Sequence, residues 1–272
     1  MLLAGLVVAV AIGYALAVAG LYLVQRSLLY LPDRTRPELG ALAALGAREV
    51  RFATSDGLDL LAWHLPPRDG RPLVVYFHGN GGHIGYRSNR LRRFAEEGVG
   101  LLLVEYRGYG GNRGAPSEDG LYRDAAAALD FATGELATPA ARLALYGESL
   151  GSAVAVWAAA HYPAAALILE APFTRLADAA GHHYPWVPVG LLLRDRFDSL
   201  ARIASVKAPI LIVQGEQDRV IPVRLGRALL AAANEPKEGW FPPEAGHENL
   251  AQFGVLDVLF DFLGRRVGPP RP

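Results

Sequence analysis

The chain has 272 residues, 51% of them hydrophobic, with 27 Lys+Arg balanced by 27 Asp+Glu. That size suits one large α/β domain with an appendage, and zero net charge gives no reason to expect a polyanionic partner such as nucleic acid. The absence of cysteine excludes disulfides, thiolate nucleophiles and Cys-based zinc sites together.

Residues 2–24, LLAGLVVAVAIGYALAVAGLYLV, carry no charge, and the first charged group is Arg26. At about 1.5 Å per residue a helix of that length crosses the roughly 30 Å hydrocarbon core of a bilayer. A cleaved signal peptide is the competing reading, but its apolar core is shorter and follows basic residues, and no Lys or Arg precedes this run. Residues 1–26 are therefore expected to be a single transmembrane anchor, with the lipid bilayer as a partner. Arg26, Arg34 and Arg36 all follow the span, a bias toward a cytoplasmic domain that does not by itself fix the side. Pro32 and Pro37 break regular structure, so residues 27–47 read as a juxtamembrane linker.

The globular domain is expected over residues 48–264, followed by a flexible tail at 265–272. It opens with REVRFATSDGLDLLAWHLPP, two strands around a Ser-Asp-Gly turn, which predicts an antiparallel hairpin. The rhythm then changes. PLVVYFHG, VGLLLVEYRG, LALYGES, ALILEAP and PILIVQGEQD are short, uniformly apolar runs, as parallel strands covered on both faces require. Helical segments alternate with them: residues 84–97, a segment opening at Ser117 as N-cap, and a small-residue helix after Ser149. The pattern predicts a doubly wound, mostly parallel α/β sheet preceded by the hairpin and the membrane helix. In such a sheet the ligand site lies beyond the carboxyl ends of the strands.

Gly147-Glu148-Ser149-Leu150-Gly151 fits G-x-S-x-G, a sharp strand-to-helix turn that exposes the serine oxygen above the sheet. A serine hydroxyl is a poor nucleophile at neutral pH and needs a base, which in turn needs an orienting group. With this elbow the chain order is serine, acid, histidine. Asp218 follows a strand in GEQDRVIP, and His247 in EAGHENL is the only histidine downstream of it, so Ser149, Asp218 and His247 are the expected catalytic residues. Glu170, at the end of LILEAP, is the rival acid, while Glu148 reads as structural. The loop YFHGNGG follows an earlier strand, so the backbone N–H groups of Asn80 and Leu150 are the expected oxyanion donors. His78 precedes the serine and is expected to brace that loop.

Other patterns take plainer readings. His182 and His183 are adjacent and lack H-E-x-x-H spacing, so no metal is expected. Arg87, Arg90, Arg92 and Arg93 read as the solvated face of a helix whose Leu91 and Phe94 face the core, with a lipid-headgroup patch as the alternative. HHYPWVPVGLLLRDRF, residues 182–197, has two readings. It is either a short helix packed on the core, or the apolar wall of an acyl groove in which Trp186 and Val189 bind substrate.

YFHGNGG, EYRGYGGNRGAPSEDG, GESLG, EAPFT, RDRFDSLARI, GEQDRVIP and GHENL, in that order, resemble the serine α/β-hydrolase family. More narrowly, with the N-terminal span, they are similar to its membrane-anchored abhydrolase-domain branch. The resemblance covers about Arg48 to Leu263. It implies a serine hydrolase acting on lipid esters or on acyl thioesters, as lipases and depalmitoylases do, with no cofactor. A peptidase or amidase of the same fold, or an inactive hydrolase-like binding module, are the alternatives.

Overall fold

The computed structural model describes residues 1–267. Helix α1, Leu2–Leu29, is uncharged up to Arg26 and has no buried residue. Its 28 residues make it long and apolar enough to cross a membrane. It runs past the expected boundary at residue 26 and ends at Tyr30, whose extended backbone stops the helix.

The segment after it is bound to the domain. Strand β1, Leu31–Pro32, pairs in parallel with β5, Gly81–Gly82, and Tyr30, Leu42 and Ala47 are buried. The linker expected at 27–47 is thus packed onto the domain, because Tyr30 joins one of its hydrophobic cores and Leu42 and Ala47 the other.

The main sheet has eight strands. The predicted hairpin is β2, Arg48–Ala53, antiparallel to β3, Asp59–Leu65, and β3 is antiparallel to β6, Gly100–Val104. From β6 onward all pairings are parallel, through β4 (Leu73–Phe77), β7 (Leu143–Glu148), β8 (Ala166–Glu170) and β9 (Ile210–Val213) to the edge strand β10 (Lys237–Trp240). In β4 the side chains alternate between two cores: Leu73, Val75 and Phe77 enter one, and Val74 and Tyr76 the other. This is why the central strands are apolar at every position. Each fully buried Leu, Val or Phe there contributes about 1.5–3 kcal/mol.

The first core is covered by α3 (Glu118–Thr133), α4 (Leu150–His161) and α8 (Val223–Ala232), and the second by α2 (Ser88–Glu97) and α9 (Val255–Arg266). Ser117 caps α3 as expected, its Oγ accepting from the Gly120 N–H at 3.1 Å. Arg265 and Arg266, expected in the tail, belong to α9 and both pair with Glu238, and Val267 is buried. The rest of the expected tail, 268–272, lies outside the described residues. Three short helices, α5 (Leu176–His183), α6 (Val189–Leu192) and α7 (Leu200–Ile203), fill the long connection from β8 to β9.

Candidate active site

Ser149 stands between β7 and α4 with φ 52° and ψ −115°, a backbone conformation that L-residues rarely adopt. The flanking glycines make it possible. A Cβ on Gly147 would overlap the Gly151 backbone, and one on Gly151 would overlap the carbonyls of Phe77 and His78. The elbow is further tied by the Ser149 N–H donating to Glu170 O at 2.8 Å and the Ser152 hydroxyl donating to Ser149 O at 2.6 Å.

Three loops at the carboxyl ends of β7, β9 and β10 bring Ser149, Asp218 and His247 together. His247 Nε2 lies 3.1 Å from Ser149 Oγ, and His247 Nδ1 lies 2.8 Å from Asp218 Oδ2. The second oxygen of Asp218 accepts the N–H groups of Val220 (2.9 Å) and Ile221 (2.8 Å). Gln214, at the end of β9, donates to Asp218 Oδ2 at 3.1 Å and to Ile221 O at 2.7 Å. Burial pushes the Asp218 carboxyl up, but the His247 hydrogen bond and these donors outweigh it and hold the group below its usual range. For His247 burial acts downward, and the bond and charge of Asp218, with the charges of Glu148 and Glu170, carry it above its ordinary value.

The rival carboxylates are engaged elsewhere. Glu170 receives a two-pronged bond from Arg90 (2.7 and 2.9 Å) and the Tyr146 hydroxyl. Glu148 accepts from Arg87 at 3.2 Å and from Tyr76. Burial raises the Glu148 pKa, yet the Arg87 and Arg90 charges prevail and leave it below the carboxylate range. Arg87 and Arg90 are therefore not on a solvated face, and only Arg92 and Arg93 of that set carry no buried pairing. The sequence expectation failed because helical periodicity marks arginine as polar and is blind to a carboxylate waiting beneath the helix. His78 braces its loop as expected: it is wholly buried, with Nδ1 2.7 Å from Gly79 O and Nε2 3.0 Å from Glu105.

A cavity of about 240 Å³ opens beside Ser149. Asn80 and Leu150 line it next to the serine, and Phe173, Leu176, Val189 and Leu192 continue it. Of the two expected substrate-binding residues, Val189 lines this cavity and Trp186 does not. The Trp186 ring is half exposed and meets Tyr14 edge-on, with centroids 6.4 Å apart. The opposite wall is α1, through Val18, Leu21, Gln25 and Leu28. Sequence reasoning missed these residues because their composition speaks only of lipid, although their spacing marks one face of a helix. It also missed Gln214, whose signal was its place at a strand end four residues before Asp218. Among the described residues no His, Asp or Glu group is arranged to hold a metal ion.

An uncharacterised protein of Mycobacterium tuberculosis is 43% identical over 245 residues, spanning 88% of this chain and 87% of its own length. The α/β hydrolase domain-containing protein WAV2 of Arabidopsis thaliana is 31% identical, over 80% of this chain and 76% of its own. The chain belongs to the α/β-hydrolase family. Within that family, residues 68–197 match the group described as serine aminopeptidase, S33. An esterase of Pyrococcus furiosus shares the fold with a TM-score of 0.73 at 17% identity, over 88% of this chain and 98% of its own. An acetyl xylan esterase from Paenibacillus does so with a TM-score of 0.66 at 22% identity, over 87% and 97%. This α/β-hydrolase thus carries the fold's elbow, with a histidine and a carboxylate set behind the elbow serine.

Proposed function

We propose that the protein is a membrane-anchored serine hydrolase that cleaves carboxylic esters or thioesters of acylated substrates. The observation that carries this reading is the hydrogen-bonded series Ser149, His247, Asp218, with the serine opening onto an apolar cavity.

In this reading Asp218 holds His247 with Nδ1 protonated, leaving Nε2 free to accept the Ser149 proton. The hydroxyl oxygen attacks the acyl carbonyl as the proton moves to His247. Negative charge develops on the carbonyl oxygen, where the N–H groups of Asn80 and Leu150 receive it. Leu150 is the first residue of α4, so its N–H also carries the positive end of the helix dipole. His247 returns the proton to the departing alcohol or thiol, and a water activated by the same imidazole releases the acid. No cofactor takes part.

Anchoring rests on α1, which is long and apolar enough to span a bilayer. Its contacts with the domain favour retention over cleavage as a signal peptide, because removal would strip one wall from the cavity. Capture of a peptide's free ammonium in so apolar a site would require a carboxylate. Among the described residues none lines this cavity, which favours an acyl substrate over an aminopeptidase's. The wild-type protein should label with a fluorophosphonate at Ser149 and hydrolyse acyl esters. Labelling that persists in Ser149→Ala would overturn the assignment.

A further inference from the structure

Helix α1 approaches the cavity with one face. Val18, Leu21, Gln25 and Leu28 recur at helical spacing and line it together, opposite Leu176, Ala179, Val189 and Leu192 of the connection between β8 and β9. An apolar helix that merely tethered a domain would have no side chains in the domain's cavity.

The helix is also fixed in place. Its last carbonyl, Leu29 O, accepts from Asn80 Nδ2 at 2.9 Å, on the loop that holds an oxyanion donor in the proposed mechanism. Arg26 makes a two-pronged pair with the buried Asp195, both contacts 2.8 Å, and Asp195 also accepts the Glu118 N–H. Gln25 accepts the Arg194 N–H at 2.8 Å, and the Tyr14 hydroxyl donates to Trp186 O at 2.9 Å.

Tyr14 lies about 18 Å along the helix from Arg26, its first charged group. The segment carrying Trp186 therefore follows α1 into the apolar layer that the helix occupies. That segment exposes apolar groups on its outer side: Trp186 is 51% exposed and Leu191 is 84% exposed. Helix and segment form one apolar surface with the cavity between them, and Ser149 lines that cavity.

We propose that α1 is a wall of the substrate site. The acyl chain of a bilayer-resident ester or thioester passes between α1 and residues 184–193 to Ser149, and Val18, Leu21 and Leu28 set the chain length accepted. This rests on the serine-hydrolase reading. The cavity, about 240 Å³, lies just below the span of small-molecule sites, roughly 300–1,000 Å³, and its lining is mostly apolar.

The test uses the full chain in phosphatidylcholine vesicles, with nitrophenyl acetate and nitrophenyl palmitate as substrates. Val18→Trp and Leu21→Trp should each lower the palmitate-to-acetate ratio of kcat/KM on the order of tenfold. A ratio cancels any loss of folded protein. Val10→Trp, on a residue outside the cavity lining, should leave both rates unchanged. Because the chain has no cysteine, Leu21→Cys supplies a unique thiol for a second measurement. Reacting Ser149 with a hexadecyl fluorophosphonate should shield that thiol from a small methanethiosulfonate, and an ethyl fluorophosphonate should not. An unchanged ratio in both tryptophan variants, or equal shielding by the two probes, would overturn the proposal. Failure of both probes to label Ser149 in the wild type would instead overturn the serine-hydrolase reading, and this proposal with it.

Discussion

Two histidine–carboxylate pairs stand at the carboxyl edge of the same sheet, and they have different fates. His78 and Glu105 are 3.0 Å apart and fully buried, and every outward valence is taken: His78 Nδ1 faces Gly79 O, and Glu105 accepts the Ile84 N–H. His247 and Asp218 are 2.8 Å apart, but the remaining nitrogen of His247 faces the hydroxyl of Ser149, which lines a cavity. In the proposed mechanism only His247 serves as a base, so pairing with a carboxylate is not by itself enough. What makes one is an unspent nitrogen, a proton within its reach, and room for a reacting group beside it.

The comparison can be pressed by mutation. The largest expected effect is Asp218→Asn, which should lower kcat by a factor approaching ~10⁴ through loss of the orienting carboxylate, with the melting temperature little changed. If Glu170→Gln were the crippled variant and Asp218→Asn nearly normal, the acid would have been assigned to the wrong strand. Glu105→Gln should act in the opposite sense. Weakening a wholly buried pair costs about 1–3 kcal/mol, or about 2–4 °C of melting temperature per kcal/mol for a domain of this size. Fluorophosphonate should still label Ser149 in the protein that remains folded. Full stability with abolished labelling would make His78 and Glu105 part of the chemistry.

Protonation gives a milder test. The base must be neutral to accept a proton, so kcat/KM is present above the His247 pKa and lost as pH falls through it. Because that pKa is raised in the fold, the acid limb should centre above the ordinary histidine value of about 6.5. A limb centred clearly below that value would mean that burial outweighs Asp218. The smallest effect is expected from Trp186→Ala. Trp186 is not among the residues lining the cavity, so hydrolysis of soluble acetate esters should be nearly unchanged, and as a surface substitution it should alter stability by no more than about 0.5 kcal/mol.

Much of the candidate site was legible because three kinds of local signal agreed. The glycines of GESLG demand a crowded elbow, Asp218 and His247 each follow a strand, and their order in the chain is the one such an elbow uses. The parallel strands were legible because burial on both faces leaves no polar position. Edge strand β10, KEGW, has no such run and went unread; one side of it is open, so its composition is free. Arg90 and Glu170 lie 80 residues apart in sequence, and nothing local in either reveals the other. The docking of α1 was hidden for a related reason. A face that lines an apolar cavity and a face suited to lipid select the same side chains.

The conformation of Ser149 bears on heat resistance as well as on reactivity. A residue held at φ 52° and ψ −115° stores about 1–3 kcal/mol of backbone strain. Ser149→Ala removes the hydroxyl and keeps the strain, whereas Ser149→Gly removes both and gives back about 0.4–1 kcal/mol through the freer unfolded chain. Two equally inactive variants should thus melt at different temperatures, with the glycine form the higher. The difference would measure how much thermal reserve the protein forgoes to hold one hydroxyl above its sheet.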